Sequence, residues 1–169
     1  MASLKVTSDI STKTIGVKSP EIHYTERSAV RVVVKGSDNQ VIIIKATKGS
    51  YYKLPGGGVE PGEDHRLAAK REVEEETGCK VQVLGDCIAT TEEFRNDLHQ
   101  VSYCYRAELL DKDGKPELTE DEVADGLSHE WASVKDALRQ MSAVEPTSEL
   151  GRFIKEIDIF LLTEASRLG

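Results

Sequence analysis

No apolar run in this 169-residue chain approaches the ~20 residues needed to cross a bilayer as a helix; the longest, Val41-Ile42-Ile43-Ile44, is strand-sized. A membrane partner is therefore not expected. Cysteine is scarce, and Cys79, Cys87 and Cys104 form no CxxC pair, which excludes a redox-active cysteine couple. Their apolar, strand-like surroundings suit buried reduced thiols. The opening MASLKVTSDISTKTIG lacks the apolar stretch of a secretory signal, so the chain as given is expected in the cytoplasm. Internal repeats and low-complexity linkers are missing too. Basic charge is in deficit, with Lys+Arg 22 against Asp+Glu 30 and a net charge of -8. Duplex nucleic acid is accordingly not an expected partner.

What is present is an ordinary globular composition, 38% hydrophobic and 31% charged, in a length that fits one domain. Charge is unevenly spread: residues 1–56 carry a balance of +5 and the remainder -13. An acidic, cation-binding site beside a basic surface for an anionic substrate would give that split, as would a mixed solvated surface. Residues 1–20 are polar and rich in Ser, Thr and Lys, and read as an arm or edge strand preceding a single domain over 21–169. Strands are expected at 28–35 and 41–45, forming a hairpin across GSDNQ, and at 51–54. A helix is expected at 64–77 with Gly78 at its C-cap. Two β-rich segments, 79–90 and 99–110, follow around a charged loop TEEFRNDL. The polar stretch 111–126 is expected outside the core. Glu130-Trp131-Ala132 leads into a helix capped by Ser133. A last helix, 148–167, carries Leu150, Phe153, Ile154, Ile157 and Leu161 on one stripe. This order predicts an α/β sandwich, a mixed sheet between helices.

The chemistry concentrates in GGVEPGEDHRLAAKREVEEETGC, which begins at Gly57. At 100° per residue, Glu72, Glu75 and Glu76 share an arc of roughly 100° on the expected helix. Like charges at these spacings repel, so the face needs a counter-charge, which a hard divalent cation supplies. Ala69 and Val73 give the helix an apolar side for the sheet. Arg71 and Glu63 are placed to pair and pin the preceding loop. Gly56, Gly57 and Gly58 open backbone angles closed to other residues and let carbonyls approach a metal. A solvated acidic surface helix is the alternative, and the glycines count against it.

Gly57, five residues, Glu63, seven residues, then Arg71-Glu72-Val73-x-Glu75-Glu76-x-Gly78-Cys79 resembles the Nudix box. Seven fixed positions match, about one chance in 10^8 at average composition. Cys79 stands where the family usually has an aliphatic residue. The resemblance extends over Leu54-Pro55-Gly56-Gly57-Gly58-Val59-Glu60 and the Glu130-Trp131 step. It implies a Nudix-type α/β/α sandwich and a hydrolase that cleaves a diphosphate linkage with Mg2+ or Mn2+. By the same resemblance the metal ligands fall on Gly57, Glu72, Glu75 and Glu76, while Glu63 and Arg71 support the box. The general base falls on Glu76 or Glu72, or on a distal carboxylate among Glu92, Glu93, Glu120, Asp121 and Glu122, with Glu122 preferred. His99 is read as structural ahead of catalytic. Arg27, Arg31, Lys45, Lys48 and Lys53, on the strands and turn entering the box, are candidates to bind a small anionic substrate. A nucleoside diphosphate derivative is one substrate class, with Tyr51, Tyr52 or Phe94 available to stack a base. The segment also resembles the diphosphoinositol polyphosphate phosphohydrolase branch, which implies an inositol pyrophosphate. A Nudix-fold binding module without turnover is the non-enzymatic alternative. Homodimers are common in the family.

Overall fold

The computed structural model describes residues 10–168. Among them eight strands form one mixed sheet: β1 (Ser11–Ile15), β2 (Thr25–Lys35), β3 (Gln40–Ala46), β4 (Tyr51–Lys53), β5 (Gly56–Gly58), β6 (Lys80–Arg95), β7 (Leu98–Asp111) and β8 (Leu127–Ser133). The sheet runs β1-β6-β7-β2-β3-β4, with β5 paired to β2 and β8 to β3. Helices α1 (His65–Thr77), α2 (Glu120–Ala124), α3 (Val134–Ala143) and α4 (Glu149–Arg167) complete it.

Strand alternation gives the sheet two apolar faces. Val30, Val32, Val34 and Ile42 receive Ala68, Ala69 and Val73 of α1. Val33, Val41 and Ile43 receive Ala137 and Met141 of α3 and Ile157, Leu161 and Leu162 of α4. The expected α/β class, with helices on both faces of a mixed sheet, is what the chain adopts.

Several boundaries differ. Residues 11–15 of the expected arm form an edge strand, parallel to β6, because the Ile15 side chain is buried in the core; residues 1–9 of that arm lie outside the described residues. The expected β2–β3 hairpin shrinks to one pair, Lys35 with Val41. β2 instead pairs in parallel with β7 over its whole length, and β3 with β4 and β8. The charged loop after Thr90 is mostly strand, turning only at Asn96-Asp97, because Glu93 and Phe94 find cross-strand partners in Gln100 and His99. The 111–126 segment contains α2, closed by a Thr119–Glu122 capping box. Leu150 sits in the exposed first turn of α4. The cysteines are free thiols, Cys79 and Cys104 buried and Cys87 half-buried. No helix among the described residues is long and apolar enough to cross a membrane.

Candidate active site

Three glycines let three parts of the chain approach. Gly56 and Gly57 of β5 pair with Arg31 and Val30 of β2. Gly56 adopts φ +155°, and a Cβ there would stand 2.0 Å from the Val30 carbonyl oxygen. A Cβ on Gly57 would lie 2.7 Å from the Glu72 carboxylate, and one on Gly58 2.6 Å from the Arg27 guanidinium. The missing side chains therefore make room for an acid from α1 and a base from β2.

Helix α1 is held at both ends. The Asp64 carboxylate accepts the N–H groups of Arg66 and Leu67, and Gly78 turns left-handed with φ +78° while its N–H reaches the Glu74 carbonyl. Arg71 sits at the centre of the acidic face. Its Nε and Nη2 donate to the two oxygens of Glu63 at 2.7 and 2.9 Å. Its Nη1 donates to Glu72 at 3.0 Å and Glu75 at 3.3 Å, and Nη2 also reaches the Gly58 carbonyl at 3.1 Å. This bidentate bond to Arg71 holds the Glu63 carboxyl down at about 2, and Glu63 in turn raises Arg71 above its usual range.

Glu76 lies deeper, 4% exposed. Its Oε1 accepts the Gly56 N–H at 2.8 Å, and its Oε2 accepts from the Lys53 ammonium at 2.9 Å. Lys53 also donates to the Gly56 carbonyl at 3.0 Å. Burial pushes the Glu76 carboxyl up to about 7 against the opposing pull of Lys53 and the Gly56 N–H. Burial raises Glu72 as well, with Arg71 opposing.

Among the described residues, no three His, Cys, Asp or Glu side chains form a ready-made metal cluster. The box carboxylates are drawn instead onto Arg71, Lys53 and the Gly56 amide, so the chain itself supplies counter-charge to the acidic face. The donor set still fits a hard cation: Glu72, Glu75 and Glu76 are oxygen ligands on neighbouring positions of one helix, and Glu72 fills the cradle that a Cβ on Gly57 would occupy.

The five basic candidates separate. Arg27 is exposed beside Gly58 and donates to the Gln100 side-chain carbonyl. Arg31, 6% exposed, faces Asp158 of α4 at 3.3 Å. Lys53 is committed to Glu76, which burial and ion pairing make a structural post for that lysine ahead of a substrate contact. Lys45, opposite Tyr52 in the β3–β4 ladder, and Lys48 are exposed. Of the distal carboxylates, Glu122 accepts the Thr119 N–H in its capping box, which gives it a helix-closing role. Glu120 and Asp121 share its helical turn. Glu92 bonds His99 at 2.7 Å, and His99 also meets Glu26 at 2.6 Å and stacks on Phe94. Burial acts to lower the His99 pKa, but its two carboxylate partners carry it upward. Phe94 also packs edge-on against Tyr24, and Tyr51 is buried against Ile154.

Sequence reasoning missed Gln100, Arg95 and Asp158, and had Glu93 only as a candidate distal base. Gln100 donates to Glu93 at 2.8 Å, and Arg95 meets Glu93 at 3.4 Å, so a polar network continues from Arg27 across β7 and β6. The legible signal for Asp158 was a carboxylate inside the apolar stripe, four residues after Ile154 and three before Leu161.

Comparison with known proteins agrees with this geometry. The NUDIX domain model matches residues 25–150. A human diphosphoinositol polyphosphate phosphohydrolase 3-alpha is 30% identical over 127 residues, covering 73% of each chain. An RNA pyrophosphohydrolase of Pelagibacter ubique is 41% identical over 64 residues, 36% of this chain and 40% of that protein's length. Among solved structures, the E. coli ORF135 protein has a TM-score of 0.61 at 18% identity, covering 86% of this chain and 91% of that one. A C. elegans Ap4A hydrolase has a TM-score of 0.57 at 21% identity, covering 85% and 98%. With the box glutamates, their supporting arginine and the fold all in place, the chain belongs to the Nudix hydrolase family, enzymes acting on pyrophosphate bonds.

Proposed function

We propose that the chain is an Mg2+- or Mn2+-dependent pyrophosphohydrolase that cleaves the diphosphate linkage of a nucleoside diphosphate derivative. The observation that carries this reading is the Glu72 carboxylate seated against the bare Cα of Gly57, on the helix face it shares with Glu75 and Glu76. Glu72, Glu75, Glu76 and the Gly57 carbonyl would hold the cation, with Glu63 and Arg71 keeping the loop on the helix. When bound, the cation neutralises phosphate charge and lowers the pKa of water. Glu72 is assigned as the base, because its carboxylate is more accessible than that of Glu76, whose two oxygens are both taken by Lys53 and the Gly56 N–H. Arg27 would orient the diphosphate from the β2 side. Behind it, the buried Gln100 accepts from Arg27 and donates to Glu93, which holds the guanidinium in place. Arg31 and Lys53 are committed to carboxylates, which favours a single diphosphate over a heavily phosphorylated ring.

An inositol pyrophosphate is the second reading, supported by the 30% identical relatives that carry that activity in their names. The test is a screen of nucleotide sugars, dinucleoside polyphosphates, nucleoside triphosphates and inositol pyrophosphates with Mg2+ or Mn2+. Glu76→Gln should abolish release of phosphate while the protein stays folded; wild-type rates in both Glu75→Gln and Glu76→Gln would sink the metal assignment. Arg27→Ala and Lys48→Ala should raise KM for an inositol pyrophosphate more than for a nucleotide if the second reading holds.

A further inference from the structure

Asp158 is a carboxylate at 0% exposure on α4, eight residues beyond the segment matched by the family model. Its Oδ2 accepts the Leu54 N–H at 2.8 Å, while its Oδ1 stands 3.3 Å from the Arg31 Nε. Leu54 joins Lys53, whose ammonium holds Glu76, to Pro55 and Gly56, whose N–H holds the other Glu76 oxygen. Arg31 is the β2 residue in register with Gly56. Arg31 therefore lies against the strap that grips the box.

We propose that Asp158 is a positioning residue: it is the counter-ion that keeps Arg31 off the box glutamates and leaves Glu72 and Glu76 to a divalent cation. This rests on the reading of the box as a metal cradle. A buried guanidinium needs a carboxylate partner, and leaving it without one is costly. Arg31 donates from Nη1 to the Val30 carbonyl, a neutral partner, and its Nε faces Asp158 Oδ1 at 3.3 Å as an ion pair without a hydrogen bond. Apart from Asp158, the acids whose fields reach Arg31 are Glu76, Glu93 and Glu72. Two of these three are the proposed metal ligands. Without the charge on Asp158, Arg31 joins Lys53 in neutralising them, and a divalent cation then competes with two tethered cations instead of one. The Leu54 bond keeps the strap, and hence Lys53, in its register beside Glu76.

The test is Mn2+ affinity, measured by calorimetry or by loss of the free-ion EPR signal on the full chain, with folding checked by circular dichroism. Asp158→Asn retains an acceptor for Leu54 but removes the charge, and should weaken Mn2+ binding roughly 10- to 100-fold, as loss of a group supporting metal ligands does. Adding Arg31→Met should return Mn2+ affinity to within about threefold of wild type, even though the double variant melts lower, because the competing cation is gone. A merely structural role predicts no such rescue. A folded Asp158→Asn with unchanged affinity, or a folded double variant that binds as weakly as Asp158→Asn, overturns the proposal; if Asp158→Asn does not fold, a folded double variant that binds Mn2+ at least about tenfold more weakly than wild type overturns it. Glu76→Gln serves as the control: unchanged Mn2+ affinity there would remove the metal cradle itself, a different failure from that of Asp158.

Discussion

Replacing Glu63 by Gln isolates the clamp that fastens the glycine loop to α1. The wild-type carboxylate grips Arg71 through two hydrogen bonds of 2.7 and 2.9 Å and is held down at about 2 from an ordinary value of 4.5. At 1.36 kcal/mol per pKa unit that depression has a ceiling of roughly 3 kcal/mol. Arg71 is 27% exposed, so solvent screening leaves about 1–2 kcal/mol. The sign follows from the direction. A carboxyl whose folded pKa is depressed stabilises the fold above its unfolded value near 4.5, and that contribution fades as pH falls toward 2. Urea unfolding of wild type and Glu63→Gln, both in chelator, should differ by about 1–2 kcal/mol at pH 7, a few degrees in Tm. The gap should narrow steadily below pH 4.5. A gap that stayed constant from pH 7 to pH 3, or one absent at pH 7, would refute the assignment of Glu63 as the loop's charged anchor.

Other outcomes follow from the same geometry. Because burial holds Glu76 at about 7 in the metal-free protein, Mn2+ must displace its proton at lower pH; affinity should rise as pH climbs through 7 and then level off, a dependence that Glu76→Gln should flatten. Gly57→Ala puts a methyl 2.7 Å from the Glu72 carboxylate and should cut metal affinity and kcat at least about tenfold with little change in Tm, checked by titration and melting. Glu122→Ala loses half of a capping box and should lower stability by about 1 kcal/mol while turnover stays within about twofold, whereas Glu72→Gln should remove turnover; the reverse pattern in a steady-state assay would restore Glu122 as the base.

The local grammar of the sequence carried a large part of the result. Asp64 and Gly78 delimit α1 because a capping carboxylate and a left-handed glycine are local signals, and the Glu72, Glu75 and Glu76 arc needs only helical geometry. Partnership across the sheet was less legible. Nothing within 28–45 reveals that β2 makes its long ladder with β7 and keeps a single pair with β3, since either ladder would bury the same valines. The buried partners of Arg31 and Lys53 were hidden for a related reason: a basic side chain next to an anion site reads as a ligand-binder, and nothing beside it in the sequence shows the carboxylate, Asp158 or Glu76, that pairs with it. Glu93 and Phe94 were read as loop because their charge and bulk are tolerated in a strand only through Gln100 and His99, which lie beyond the turn.

The parallel pairing of β2 with β7 has a consequence for how the enzyme comes into being. Thr25 meets Leu98, so the whole box lies inside a loop that cannot close until β7 exists. Such long-range contacts form late, after the entropy of loop closure has been met. During synthesis the ribosome delivers Asp158 later still, just over a hundred residues after the first glycine of the strap. A nascent chain thus carries every glutamate of the box, with Arg71, Lys53 and Arg31, before it carries the carboxylate paired with Arg31. Catalytic competence then arrives with the last helix, and truncation within α4 should leave a chain whose motif is complete and whose site is not.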